Sequence, residues 1–233
     1  MNWDNPLSNK LCWSGEIKQK AEKEILAETL SNKASNGDVI GAGSGSTSLL
    51  ALAAIGRRVK NESLKVAAIP TSREAELNCR YYGLRVTSLL SARPDWGFDG
   101  ADEVDPQHNL IKGRGGALFM EKLVMASSPK TYILADEHKL VRNLGEKHAV
   151  PVEIDPRALH LAETRLQQEF NTTASSLRMA ESKDGPVITE AGNFILDVTF
   201  KNITHSMEKE IKGIPGVIET GLFFGYSVEI LTS

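Results

Sequence analysis

The sequence predicts an α/β protein in which a parallel-sheet domain is followed by a smaller α+β sandwich. Three observations predict it. Short apolar runs alternate with helical stretches as far as about residue 147, the pattern of right-handed βαβ units. Polar clusters follow those runs, at the strand ends where such sheets bind ligands. Beyond Val150-Pro151 the order becomes β-α-β-β-α-β, which folds as a ferredoxin-like sandwich. The larger domain is expected over residues 1–147, with about 217–233 returning to it, and the smaller over about 148–216.

Residues 1–15 read as an irregular arm, either pinned to the body by Trp3 and Trp13 or a tail outside the fold. Residues 16–32 read as a helix, because Ile25, Leu26, Thr29 and Leu30 share one face. Ser35-Asn36-Gly37-Asp38 marks a turn before the apolar pair Val39-Ile40. An amphipathic helix follows over 48–59 and a second strand over 64–69. Thr71 or Ser72 is the candidate N-cap of a helix running to Tyr82. A third strand spans 84–87, and 89–96 is a connection that leads through Phe98 into an acidic loop. Residues 109–112 have the composition of a short strand, 118–126 of a helix and 131–135 of a buried strand. Further on, 152–155 is a strand and 156–170 a helix with proline near its start. Strands at 176–180 and 187–189 flank the hairpin signal Lys183-Asp184-Gly185. A strand at 194–200 and a helix at 204–212, ended by Gly213, precede closing strands at 217–219, 222–223 and 228–231.

The net charge is −3 and the lysines and arginines are scattered, so no basic surface points to nucleic acid. No apolar run approaches the roughly 18 residues of a membrane span. The first 15 residues carry an acid and no apolar core, unlike a secretory signal. Cys12 and Cys79 match neither a metal-ligand spacing nor a disulfide framework, which fits a reducing cytoplasm. The expected partner is a small molecule, not nucleic acid and not a membrane.

Chemistry-bearing residues concentrate in two places. The first is Gly41-Ala42-Gly43-Ser44-Gly45-Ser46-Thr47, a glycine turn between a strand and a helix. Glycine allows close backbone approach, and free N–H groups at a helix start face an anion. The stretch lacks the Gly-Lys-Ser/Thr of a Walker loop. Its third glycine comes too early for a dinucleotide fingerprint. Pro70-Thr71-Ser72-Arg73 adds hydroxyls and a guanidinium at the next strand end. The second place holds Asp99, Asp102, Glu103 and Asp105, four acids in seven residues around Gly100-Ala101. Ile111-Lys112-Gly113-Arg114-Gly115-Gly116-Ala117 follows, then Glu121-Lys122 on the next helix. Asp105, before Pro106, reads as a turn residue. Glu103 reads as either a sugar ligand or a loop cap.

Taken with Ala135-Asp136, Lys139, Gly192-Asn193-Phe194-Ile195-Leu196-Asp197, Pro215-Gly216-Val217 and Gly221-Leu222-Phe223, these motifs resemble the A-type ribose-5-phosphate isomerases in order and spacing. The resemblance covers the chain from about Glu16 to its end. It implies a Rossmann-like domain with a smaller α+β domain, a homodimer or homotetramer, and no cofactor or metal. It implies that Asp99, Asp102, Lys112 and Glu121 are catalytic. By the same resemblance Ser44, Gly45, Ser46 and Thr47 bind substrate and Lys139 binds its phosphate. The chain departs from the commonest family pattern at Met120, where arginine is frequent, at Glu137-His138 and at Ser44. The family's early-helix lysine has three candidates here, Lys18, Lys20 and Lys23.

Interconversion of D-ribose 5-phosphate and D-ribulose 5-phosphate moves a proton between C2 and C1 through a cis-enediolate. Glu121 is the expected base, tuned by partial burial. Lys112 and the amides of Gly113, Arg114, Gly115 and Gly116 are expected to hold the enediolate oxygens. Asp99 would relay a proton during ring opening, and Asp102 would orient Lys112 or bind hydroxyls. The phosphate would sit by Ser46, Thr47 and Lys139, where remote binding energy positions the reacting carbons.

Overall fold

The computed structural model describes residues 17–232. The expected arm over 1–15, Cys12 and the first residue of the expected first helix lie outside them. In chain order the elements are α1 (Lys20–Ser31), β1 (Val39–Ala42), α2 (Gly45–Glu62), β2 (Ala67–Pro70), α3 (Arg73–Tyr81), β3 (Arg85–Val86), β4 (Trp96–Gly100), β5 (Glu103–Val104), β6 (Leu110–Ile111), α4 (Leu118–Ser127) and β7 (Thr131–Leu134). There follow β8 (Val150–Ile154), α5 (Leu159–Glu169), β9 (Thr172–Leu177), β10 (Phe194–Phe200), α6 (Met207–Lys212), β11 (Val217–Thr220), β12 (Leu222–Phe223) and β13 (Val228–Leu231).

These elements form two compact units. One holds the described residues up to Gly100, Val124–Asp136 and the stretch from Ser227; the other holds Ala101–Leu123 and Glu137–Tyr226. This division differs from the boundary drawn on the sequence. Residues 101–123, 137–147 and 217–226 group with the sandwich, because the chain leaves the parallel sheet after β4 and re-enters it only for β7 and β13.

In the first unit six strands run parallel in the order β13-β7-β4-β1-β2-β3. The return of 228–231 to this sheet agrees with the sequence reading. A core of Leu26, Leu30, Ile40, Leu52, Ile55 and Phe98 lies under α1 and α2. Each such side chain contributes about 1.5–3 kcal/mol on burial. Strand β4 corrects the sequence reading, which made 89–96 a connection and 96–98 the lead into a loop. Trp96-Gly97-Phe98-Asp99-Gly100 shows no alternation because the strand is central, between β1 and β7, and buried on both faces. Its glycine is a packing requirement: a Cβ at Gly97 would stand 3.1 Å from Ser128 Oγ and 3.3 Å from Thr131 Oγ1.

In the second unit an antiparallel sheet runs β11-β8-β10-β9, with α5 and α6 connecting its strands. Numbered within the unit this is 4-1-3-2, the ferredoxin-like order. Val152, Ile154, Leu166, Leu196, Val198 and Ile211 form its core. The expected hairpin is reduced to a single bridge between Met179 and Pro186, and 187–189 is not a strand. Thr189 is drawn out of the ladder: its N–H donates to Asn193 O at 2.9 Å and its hydroxyl to the buried Glu153 carboxylate at 2.8 Å. A small antiparallel sheet, β12-β6-β5, completes the unit.

Candidate active site

The first unit supplies a glycine loop and one carboxylate. Strand β1 ends at Ala42, and Gly43 N–H donates to Phe98 O at 2.9 Å. Ser44 stands at the N-cap of α2 with an extended backbone, yet its hydroxyl does not cap the helix. It bonds Thr71 Oγ1 at 2.8 Å and Ser72 Oγ at 2.7 Å instead. The first turn of α2 therefore keeps the electropositive character of a helix start. Glu74 Oε2 accepts from Gly45 N–H at 3.2 Å, and Lys23 Nζ donates to Ser46 Oγ at 3.3 Å. Of the three candidate lysines, Lys23 is the one that reaches this loop. Ser46 and Thr47 are half-buried on the same turn. Ser72 caps α3 by accepting from Ala75 N–H at 3.0 Å.

Asp99 closes this half. It is buried at the end of β4, and its Oδ1 accepts from Gly100 N–H at 2.8 Å and Ser44 N–H at 3.3 Å. Gly43 is glycine because of it: a Cβ there would lie 2.3 Å from Asp99 Oδ1. Sequence reasoning associated the glycine loop and the acid with one site, and the fold brings Ser44 and Asp99 into contact.

The second unit supplies the buried ion pair. Lys112 Nζ lies 3.1 Å from Glu121 Oε2, with side-chain exposures of 3% and 7%. Lys112 follows β6, and its N–H donates to Gly221 O at 2.9 Å, while Glu121 is in the first turn of α4. The expectation that a strand at 109–112 would belong to the parallel sheet does not hold. Strand β6 pairs antiparallel with β5 and β12, because the chain has already left the larger sheet.

Behind the pair, Lys122 Nζ donates to Glu208 at 2.8 Å, Glu219 at 3.0 Å, Thr220 O at 2.8 Å and Leu222 O at 2.7 Å. It also stands 4.5 Å from the centre of the Phe223 ring. A buried ammonium with this many acceptors is a structural peg, tying α4 to the strand pair that supports Lys112. Burial opposes ionisation of Glu219, but the Lys122 and Lys212 charges prevail and hold its carboxyl below the usual range.

After Lys112 the chain turns through Gly113 at φ +111° and Gly116 at φ +80°. Asp102 Oδ2 accepts from Arg114 N–H at 3.0 Å, and the Arg114 guanidinium is 4.0 Å from Asp102 Oδ1. Asp102 thus binds the turn after Lys112. Lys139 sits half-buried in a short 3-10 turn, Glu137–Lys139. Among the described residues no carboxylate pairs with it.

The two acids left open or assigned elsewhere are explained by geometry. Glu103 is fully buried and accepts from the N–H groups of Gly145, Lys147 and His148, each at 2.6 Å, so it is a loop cap. Asp105 Oδ1 takes the N–H groups of Gln107 and Asn109 at 2.9 and 2.8 Å, as a turn residue does. Sequence reasoning missed Glu74 at the first loop and Arg178 at the second. Neither carries a local signal, since each meets its loop only through folding. Among the described residues no cluster of His, Cys, Asp or Glu has metal-binding geometry, and no helix is long and apolar enough to cross a membrane.

The family model for ribose 5-phosphate isomerase A (phosphoriboisomerase A) matches residues 67–233. The chain is 41% identical over 205 residues to the ribose-5-phosphate isomerase A of Methanothermobacter thermautotrophicus, across 87% of this chain and 89% of that one. This chain belongs to the ribose 5-phosphate isomerase A family. The solved family member from Methanocaldococcus jannaschii superposes with a TM-score of 0.88 at 38% identity, covering 92% of this chain and 95% of that one. A D-ribose-5-phosphate isomerase in complex with phospho-erythronic acid gives 0.88 at 39%, over 93% and 96%. Within the family match lie Asp99, Asp102, Lys112 and Glu121, whereas the glycine loop at 44–47 precedes residue 67 and is joined to the family by the longer pairwise likenesses.

Proposed function

We infer that this isomerase interconverts D-ribose 5-phosphate and D-ribulose 5-phosphate, with Glu121 as the base that carries the proton between C2 and C1. The observation that carries this reading is the Lys112–Glu121 pair, 3.1 Å apart and almost fully buried on a glycine turn and a helix start. A carboxylate moves the proton, and an ammonium beside it balances the charge that develops on the enediolate oxygens. Asp99, fixed by the Ser44 and Gly100 amides, is the group we assign to ring opening. Asp102 orders the turn that follows Lys112 through the Arg114 N–H. The hydroxyls of Ser46 and Thr47, with Gly45 and the ammonium of Lys139, take the phosphate. A related isomerase binds phospho-erythronic acid, a phosphorylated acid of matching class. The proton transfer needs no metal or organic cofactor. We also read the active form as a cytoplasmic homodimer or homotetramer, as the family resemblance implies.

The test is conversion of ribose 5-phosphate to ribulose 5-phosphate, beside arabinose and allose phosphates and with chelator present. Turnover of the ribose compound, unaffected by chelator, is expected. No conversion of it would refute the reading, and loss of activity with chelator would refute the metal-free mechanism. Light scattering on the purified protein reads the oligomeric state, and a monomer at assay concentration would refute that part.

A further inference from the structure

Arg178 has no part in the mechanism above, yet it is the side chain most closely engaged with the turn after Lys112. It follows β9 directly. Its Nε donates to Asp197 Oδ2 at 2.8 Å, and its Nη2 binds the other Asp197 oxygen. Its Nη1 donates to the carbonyl oxygens of Gly113 and Arg114, both at 2.9 Å. Asp197 lies on β10, inside the sandwich sheet. A carboxylate on a rigid strand thus aims a planar guanidinium, and the guanidinium holds two successive peptide groups of a turn.

Those peptides acquire fixed directions. In a trans peptide the C=O and N–H point opposite ways. The peptide between Gly113 and Arg114 is held at both ends, its carbonyl by Arg178 and its N–H by Asp102. The next peptide is held at the Arg114 carbonyl. Its N–H, on Gly115, therefore faces away from Arg178, and among the described residues no group accepts it.

Gly115 is also the one glycine of this turn that the fold does not require. Gly113 and Gly116 adopt positive φ, but Gly115 does not. A Cβ on Gly115 would meet nothing within 4 Å. Neither backbone strain nor packing accounts for glycine here, whereas the approach of a ligand to its N–H does. A cavity of about 890 Å³ is walled in part by Asp102, Arg114, Arg178 and Asp197, so the clamp borders open space.

We propose that Arg178, anchored by Asp197, is a positioning residue for the isomerisation: it fixes the Gly113 and Arg114 carbonyls so that the Gly115 N–H is aimed at the enediolate oxygen. The proposal rests on the isomerase reading of this site. A turn with three glycines has wide conformational freedom, and a donor that must reorient during reaction stabilises less than one already in place. The turn's own residues contribute one bond, from Gly116 N–H to Gly113 O at 3.0 Å, and the clamp adds two more from a neighbouring sheet.

Steady-state kinetics on ribose 5-phosphate and the binding of phospho-erythronic acid test it, in the wild type and in Arg178→Ala, Arg178→Lys and Gly115→Ala. Loss of one fixed donor lowers kcat about 100-fold. Arg178→Ala is therefore expected to lose about that in kcat while KM changes less than about threefold. Its affinity for phospho-erythronic acid, whose carboxylate resembles the enediolate in shape and charge, should fall with kcat. Added guanidinium ion should restore part of both. Gly115→Ala should melt at the wild-type temperature, because its methyl has room, but bind the acid at least about tenfold more weakly. An Arg178→Ala variant with kcat within about threefold of wild type overturns the clamp, as does wild-type affinity in Gly115→Ala. Should Arg178→Ala not fold, Arg178→Lys decides. Lower kcat at an unchanged melting temperature supports the clamp, and unchanged kcat overturns it. Wild-type protein inert on ribose 5-phosphate would instead sink the isomerase reading, separately from any difference between variants.

Discussion

The glycine turn at 43–45 in one unit and the glycine turn at 113–116 in the other are built in opposite ways. The first is rigid through local structure. Gly43 is pressed onto Asp99, Gly45 opens helix α2, and the Ser44 hydroxyl reaches the adjacent strand end at Thr71 and Ser72. The second borrows its rigidity. Beyond its one internal bond, from Gly116 N–H to Gly113 O, it is held by Asp102 at one N–H and by Arg178, off a different sheet, at two carbonyls. A phosphate site tolerates a locally built cradle because any helix start already offers oriented N–H groups. A site where charge develops during reaction gains from being held from outside.

Substitutions can break this comparison, beginning with the largest effect. Glu121→Gln removes the proposed base beside the second turn while keeping its shape. Turnover should fall on the order of 10⁴-fold, with the affinity for phospho-erythronic acid largely kept; near-normal turnover would remove Glu121 from that role. Gly43→Ala attacks the first turn where it is tightest. Its methyl would meet Asp99 Oδ1 at 2.3 Å, so Asp99 must shift. We expect a stability loss of about 1–3 kcal/mol together with impaired opening of the sugar ring. That impairment should show as slower turnover of cyclic substrate than of substrate already open, and equal rates on both would detach Asp99 from ring opening.

Gly45→Ala tests the same turn more gently. The added methyl has open space, but φ at +88° is strained for any side chain, at a cost of about 1–2 kcal/mol. A thermal melt unchanged from wild type would show that the turn relaxes more freely than the comparison holds.

The smallest effect is expected at Glu153, buried on β8 opposite Glu219. Burial pushes its carboxyl up and the Glu219 charge adds to this, against hydrogen bonds from Asn193 and Thr189 that favour ionisation. A carboxyl raised in the folded state contributes stability that is complete below its unfolded value and is lost as pH rises through the raised one. Glu153→Gln should therefore gain melting temperature relative to wild type as pH rises above the ordinary carboxylate value near 4.3. A difference that stays constant as pH rises would refute it.

Legibility followed the range of each interaction. Asp99, Lys112 and Glu121 stood out because each sits in a dense local motif, and the structure brings Lys112 and Glu121 within contact. Strand β4 was missed because a doubly buried strand beside small residues shows glycine instead of alternation. Glu103 could not be divided from its acidic neighbours on sequence, since what makes it structural is a loop some forty residues further on. Arg178 lay in no motif at all, and only the pairing of β9 with β10 places it over Gly113 and Arg114.

By itself, then, the sequence determined the α/β class with its smaller α+β domain, the family, and the residues with chemistry to offer. Those follow from local periodicity, turn chemistry and motif spacing, all written within a few residues of one another. Only the tertiary structure decided that 101–123 folds with the sandwich, that Glu103 is spent on a loop, and that a guanidinium from beyond β9 sets the direction of the Gly115 amide. Each of these depends on groups far apart in the chain meeting at hydrogen-bond distance, and no local pattern records which partner a buried polar group will find.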